Sequence, residues 1–91
     1  MKAIMHNYSS WVDETSPAVL KDKFTNLLKE CGFGIVSFTE MHFSPFGYTA
    51  LFLLSESHFA IHTFPEEEKS YIELSSCVKK PFDYFVKKIN E

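Results

Sequence analysis

The chain has 91 residues, of which 45% are hydrophobic and 16% aromatic, and its net charge is −3. This length allows one small domain, and an acidic balance without a basic stripe argues against a nucleic-acid partner. No apolar run reaches the roughly 18 residues of a membrane span, and the first residues lack the apolar region of a signal peptide. The two cysteines form no CxxC pair, so we expect a cytoplasmic protein with reduced thiols.

The N-terminal part predicts one strand and one helix. Residues 2–8 are expected to form a short first strand. Ser16 and Pro17 are typical of a helix start, and Gly32 is typical of a helix end. Between them, apolar residues recur at helical spacing and predict one buried stripe: Val19, Leu20, Phe24, Leu27, Leu28 and Cys31. Because Cys31 lies on this stripe, we interpret it as a buried structural thiol.

The rest of the chain is mainly β-structure. Strands are expected at 33–43, 48–54, 58–63 and 70–77, with a turn at 44–47, a loop at 64–69 and a last helix that begins at Pro81. His58 and His62 alternate with apolar residues, so both imidazoles are expected on the face away from the core. The order of elements favours an α+β fold, a two-layer sandwich with helices on one face of an antiparallel sheet.

The last two predicted strands form a hairpin that brings chemically useful groups together. Two neighbouring registers of this hairpin place Ser57 opposite either Ser76 or Cys77. His62 lies five residues along the strand, roughly 16 Å from Ser57. If His62 acts on Ser57, it must come from a second copy of the chain. We therefore expect a homodimer with shared active sites, in which two sheets pack into a four-layer αββα arrangement.

The segment around this serine resembles the prokaryotic S-adenosylmethionine decarboxylases, which are pyruvoyl-dependent enzymes. The resemblance depends on LSESH at 54–58, IHTFPE at 61–66 and Cys77 at the family's spacing from the serine, with a weaker match at 42–49. It implies self-cleavage between Glu56 and Ser57 into a β chain, residues 1–56, and an α chain, residues 57–91. The α chain would begin with a covalent pyruvoyl group derived from Ser57.

The resemblance also implies roles for individual residues. The pyruvoyl group would form a Schiff base with a small-molecule substrate, so neither PLP nor a metal is expected. We expect His58 to support the substrate site. The other matching positions are His62 for the processing base, Thr49 for the processing hydroxyl, Cys77 for the proton donor, Phe43 for the adenine contact and Glu66 for the ribose contact.

The sequence departs from the family pattern around the predicted substrate pocket. Phe64 stands where tryptophan is common, Val78 stands where glycine is usual, and Glu67 and Glu68 lie in a segment that usually contains aromatic residues and glycine. Additional carboxylates suit a cationic side chain, so ornithine or arginine is an alternative substrate to S-adenosylmethionine. A further hypothesis is an unprocessed paralogue that only binds a partner or ligand.

Overall fold

Five antiparallel strands and two helices make up the computed structural model, which describes residues 2–91. In chain order the elements are β1 (His6–Val12), α1 (Pro17–Cys31), β2 (Ile35–His42), β3 (Tyr48–Leu54), β4 (Ser57–Phe64), β5 (Lys69–Ser76) and α2 (Lys79–Ile89), with a 3-10 turn at Pro65–Glu67 between β4 and β5. The strand order across the sheet is β1-β5-β4-β3-β2. The predicted α+β class is confirmed. No helix within residues 2–91 is long and apolar enough to cross a membrane.

Helix α1 begins and ends where its sequence predicts. The Ser16 side chain accepts a hydrogen bond from the Val19 N–H at 3.4 Å, and Pro17 is the first helical residue. Gly32 follows the helix with φ of 98°, a left-handed conformation in which glycine has no Cβ penalty. The buried face of the helix consists of Leu20, Phe24, Leu28 and Cys31.

One face of the sheet packs against both helices and is called the covered face below. Its buried strand residues are Tyr48, Ala50, Phe52, Leu54, Phe59, Ile61, Ile72 and Leu74. The Phe59 ring lies at the centre, with ring centroids 5.0 Å from Phe24 of α1 and 5.5 Å from Phe85 of α2. This cluster is the hydrophobic core, and it holds both helices on the same side of the sheet.

The opposite face of the sheet is called the open face below. Along each strand, successive side chains point alternately to the covered face and to the open face. Its central residues are Thr49, Leu51, Leu53, His58, Ala60, His62, Tyr71, Glu73 and Ser75. Leu51 and Leu53 remain 46% and 53% exposed. Both helices lie on the other side, so nothing within residues 2–91 covers these leucines.

Most predicted strand boundaries are displaced by one or two residues, for example β2, which is Ile35–His42 and not 33–43. Three differences have a clear physical reason or affect the site. The first strand is His6–Val12 rather than 2–8, because β1 pairs with β5 over its whole length. Strand β5 ends at Ser76, so Cys77 follows the strand instead of belonging to it. Helix α2 begins at Lys79, two residues before Pro81. Proline is tolerated there because the N–H groups of a helix's first turn have no intrahelical partner.

Candidate active site

The turn between β3 and β4 contains the peptide bond at which cleavage is predicted. Leu54 pairs with Ser57, which leaves Ser55 and Glu56 as a two-residue turn. Glu56 has φ of 62°, in the left-handed region that non-glycine residues seldom adopt. Residues held in this region store backbone strain of about 1 kcal/mol or more. The strain therefore lies directly before the Glu56–Ser57 bond.

The carbonyl oxygen of Glu56 accepts two hydrogen bonds from Cys77. The backbone N–H of Cys77 donates to it at 3.4 Å, and the Cys77 Sγ–H donates at 3.2 Å. Two donors aimed at one carbonyl oxygen are the arrangement that stabilises negative charge when a nucleophile attacks the carbonyl carbon. Cys77 itself is exposed.

The Ser57 side chain lies on the covered face, at the end of the sheet that also contains Leu54 and Ser76. This end is called the serine end below. Ser57 is 7% exposed, and its hydroxyl donates to Ser76 Oγ at 2.7 Å. Of the two registers expected from the sequence, the structure has the one that pairs Ser57 with Ser76. Cys77 is therefore not the cross-strand neighbour of Ser57, although it contacts the residue before it.

Thr49 and His62 are direct cross-strand neighbours on the open face. Thr49 Oγ1 and His62 Nδ1 are 3.1 Å apart, which is hydrogen-bond distance. The His62 ring also stacks on Tyr71, with centroids 6.3 Å apart. The Tyr71 hydroxyl in turn donates to Glu73 at 2.8 Å. These contacts orient the imidazole, since three neighbouring strands contribute to its surroundings.

Within one chain, His62 cannot reach Ser57. The two residues are five positions apart on β4, roughly 16 Å, and their side chains emerge on opposite faces of the sheet. Phe43 and Glu66 are farther away still. Phe43 follows β2, and Glu66 follows β4, so both lie at the end of the sheet opposite the serine end. This opposite end is called the far end below.

His58 borders a shallow cavity on the open face. The cavity has a volume of about 350 Å³, and its other lining residues include Ser37, Thr39, Leu51 and Leu53. His58 is exposed and pairs with Ser75 of β5. Phe43 is likewise 53% exposed, and Glu66 is exposed. These side chains are therefore accessible, but in a single chain they do not converge on one pocket.

Glu40, in the far half of the sheet, has a carboxyl group with a lowered pKa, and its contacts are structural. The Tyr48 hydroxyl donates to Glu40 at 2.6 Å and, with Lys21 at 3.2 Å, holds the pKa of Glu40 below its ordinary value. Burial, together with the negative Glu40, raises the pKa of Tyr48. We therefore assign this pair to the attachment of α1 to the sheet. Within residues 2–91, no group of three or more His, Cys, Asp or Glu side chains is arranged to hold a metal ion.

The predicted site residues thus fall into two groups. Glu56, Ser57 and Cys77 meet at the serine end, and His58 follows Ser57 there on the open face. Thr49, His62, Phe43 and Glu66 lie towards the far end. Sequence reasoning did not assign a role to Ser76, the partner of the Ser57 hydroxyl. The sequence signal that points to Ser76 is its position opposite Ser57 in one of the two expected registers of the β4–β5 hairpin.

Comparisons with known proteins agree with this fold and motif. The profile of the S-adenosylmethionine decarboxylase family matches residues 11–90. The chain therefore belongs to the S-adenosylmethionine decarboxylase family. Its fold is similar to the crystal structure of the adenosylmethionine decarboxylase from Aquifex aeolicus, with a TM-score of 0.75 at 20% identity. That match covers 99% of this chain and 83% of the other.

Several curated relatives carry the name S-adenosylmethionine decarboxylase proenzyme. The protein from Symbiobacterium thermophilum is 40% identical over 58 residues, which are 64% of this chain and 44% of the relative. The protein from Methanococcus maripaludis is 34% identical over 58 residues, 64% of this chain and 48% of the relative. The matched segment thus spans about half the length of these relatives.

Proposed function

We propose that this chain is the proenzyme of a decarboxylase and that it cleaves its own backbone between Glu56 and Ser57. The products are residues 1–56 and residues 57–91, with a pyruvoyl group at position 57. The observation that carries the proposal is the pair of Cys77 hydrogen bonds to the Glu56 carbonyl, next to the Ser57 hydroxyl. The names of the relatives, which are proenzymes, support the same conclusion.

The first step is an attack by Ser57 Oγ on the carbonyl carbon of Glu56. The new Oγ–C bond replaces the C–N bond, and the hydroxyl proton ends on the freed nitrogen of Ser57, so the product is an ester. During the attack, negative charge develops on the Glu56 oxygen. The N–H and Sγ–H of Cys77 stabilise that charge, and release of the left-handed Glu56 conformation favours the same direction.

The second step needs a base at the Cα of Ser57. Removal of the Cα proton breaks the Cβ–Oγ bond, and Glu56 leaves as a carboxylate. Water then replaces the nitrogen of the resulting dehydroalanine, which releases ammonia and leaves a pyruvoyl group. We assign the base to His62 and its orienting hydroxyl to Thr49, because these two side chains are 3.1 Å apart.

His62 then has to come from a second copy of the chain. A two-fold axis that runs across the strands, between two open faces, would place the serine end of one sheet over the far end of the other. His62, Thr49, Phe43 and Glu66 of one copy would thereby approach Ser57 of its partner from the open face, where the base meets the Cα of Ser57 and not its hydroxyl, which lies on the covered face. The half-exposed Leu51 and Leu53 provide an apolar surface for such a contact. This is the αββα homodimer, with one site at each end.

The substrate we propose is S-adenosylmethionine, whose decarboxylation supplies the aminopropyl donor for polyamine synthesis. Once formed, a pyruvoyl group supplies a carbonyl that binds the substrate amine and withdraws electrons from the bond to its carboxyl group. The Cys77 thiol lies beside position 57. We assign to it the donation of a proton to the substrate carbon after carbon dioxide has left. Phe43 and Glu66 are assigned to the adenine and the ribose, with His58 as a supporting group.

Intact-mass measurement of purified protein tests the cleavage. We expect two fragments that divide at Glu56, the second lighter by one NH₃ than a serine-terminated fragment because its N-terminus is a pyruvoyl group. The Ser57→Ala variant is the matched control and should remain a single chain. A wild-type chain that stays intact after long incubation would instead indicate an unprocessed binding paralogue.

Release of carbon dioxide tests the substrate. S-adenosylmethionine, ornithine and arginine are supplied separately to cleaved wild-type protein, with Ser57→Ala as the blank. We expect release from S-adenosylmethionine. Release from ornithine or arginine alone would assign the enzyme to basic amino acids, in which case the exposed Glu67 and Glu68 become the carboxylates to test by substitution to glutamine.

A further inference from the structure

Ser76 is the last residue of β5 and has no role in the function proposed so far. It pairs with Ser57 across the β4–β5 ladder, and both side chains lie on the covered face at the serine end. Ser76 is 0% exposed and Ser57 is 7% exposed. Their hydroxyl oxygens are 2.7 Å apart, the ordinary length of an O–H···O hydrogen bond.

The Ser76 side chain is itself held in place by the backbone that follows it. Ser76 Oγ accepts a hydrogen bond from the Val78 N–H at 3.0 Å and lies 3.4 Å from the Val78 carbonyl oxygen, to which it donates. A hydroxyl with these partners has one preferred rotamer. It therefore presents a fixed acceptor to the Ser57 hydroxyl.

Two consecutive residues thus hold the two groups that have to react. Ser76 binds the Ser57 hydroxyl, and Cys77 binds the Glu56 carbonyl through its N–H and Sγ–H. We propose that Ser76 is a positioning residue for self-cleavage, which fixes the Ser57 hydroxyl next to the carbonyl that it attacks. This inference rests on the proposed self-cleavage at Glu56–Ser57 and adds a residue to it.

The chemical contribution of Ser76 is orientation. In the acyl shift the Oγ–C bond forms, the C–N bond breaks, and the proton passes from Ser57 Oγ to its own nitrogen, so Ser76 gains and loses no proton overall. Restricting a nucleophile to one reactive orientation accelerates attack, and a misplacement of about 1 Å can cost roughly a hundredfold in rate. The hydrogen bond of Ser76 to Ser57 supplies this restriction.

Ser70 provides a control for the structural contribution of a buried serine. It lies on the same strand and face, is also 0% exposed, and its hydroxyl donates to the Glu14 carbonyl at 2.7 Å. Ser70 lies six positions from Ser76 along β5, a distance of roughly 20 Å. Ser70→Ala therefore removes an equally buried hydrogen bond without touching the cleavage turn.

The experiment follows cleavage over time during cell-free synthesis of wild type, Ser76→Ala, Ser76→Thr and Ser70→Ala, with melting temperatures measured in parallel. We expect Ser76→Ala to cleave about 10 to 100 times more slowly. Ser76→Thr, which retains the hydroxyl, should cleave within a few-fold of wild type. Ser70→Ala should cleave at the wild-type rate even if its melting temperature falls as much as that of Ser76→Ala.

The outcomes separate this inference from the function on which it rests. Cleavage of Ser76→Ala at the wild-type rate would overturn the role of Ser76 and leave self-cleavage intact. Equal slowing of Ser70→Ala and Ser76→Ala would also overturn it, because general destabilisation would then explain both. Absence of cleavage in the wild type itself would contradict the proposed function.

Discussion

The two faces of the sheet are built from the same strands but differ in the burial and polarity of their side chains. On the covered face the strand side chains from Tyr48 to Leu74 are buried against two helices, and every large one is apolar or aromatic. On the open face, half-exposed leucines lie among histidine, threonine, tyrosine and glutamate side chains. The apolar part of the covered face is explained by the hydrophobic effect, because its side chains leave water when the chain folds. The buried pair of Ser57 and Ser76 at the serine end is the polar exception on this face.

The open face needs a different explanation. The hydrogen bonds between Thr49 and His62 and between Tyr71 and Glu73 lie outside the hydrophobic core, since all four side chains are partly exposed on the open face. Exposed leucines beside oriented polar groups are typical of a surface that binds another protein chain or a ligand. The apolar side chains of the covered face therefore provide stability, whereas the open face carries the residues that we propose as the base and as part of the substrate site.

The largest expected effect comes from the centre of the covered face. Phe59→Ala removes a buried ring that contacts Phe24, Phe52 and Phe85. We expect a loss of about 3–5 kcal/mol in the free energy of unfolding, measured by urea denaturation. Leu51→Ala on the open face is the control and should cost less than about 1 kcal/mol in dilute, monomeric protein. Similar losses of unfolding free energy for both variants would contradict the claim that the covered face contributes more to stability than the open face.

The next effect tests whether the open face acts on a partner chain. His62→Ala alone should slow cleavage by about a hundredfold or more, the usual contribution of a general base. Mixing it with the uncleavable Ser57→Ala chain should restore cleavage of the His62→Ala chain, because a mixed dimer has one site with both residues. The rate is followed by intact mass, with each variant incubated alone as the control. No recovery in a mixture that exchanges subunits would exclude a shared site.

Much of the fold follows from local sequence signals. Ser16, Pro17 and Gly32 mark the ends of α1 because capping depends on a few neighbouring residues. The alternation from His58 to Thr63 predicts which side chains face the core, and the burial of β4 agrees. The position of the first strand does not follow from local signals, because β1 depends on pairing with β5, which lies more than 50 residues away in sequence.

The motif predicts which residues belong to the candidate site but not how they are arranged. The motif identifies Glu56, Ser57, His62 and Cys77 without stating how far apart they lie. Only the fold shows that Cys77 follows β5 and contacts the Glu56 carbonyl instead of facing Ser57. A register shift of one residue moves a side chain to the other face, so small errors in strand ends change which groups meet.

The smallest expected effect concerns Cys31, the buried thiol that packs into the core on the side of α1. Burial, together with the negative charge of Glu30, raises the pKa of Cys31 from 9.0 to about 11. Between these values an unfolded chain loses the thiol proton that the folded chain retains. The free energy of unfolding should therefore fall as the pH rises from 9 to 11, by about 2 kcal/mol for this group.

Cys31→Ala isolates that contribution. Other groups that ionise at high pH, including Tyr48, are present in both proteins, so the difference between the two pH profiles belongs to Cys31. The variant should be less stable than wild type at pH 8 because it lacks a buried side chain. Its stability should then decline less steeply towards pH 11 in urea denaturation series. Parallel profiles would show that the thiol ionises equally in the folded and unfolded chains, and that the core does not exclude its charged form.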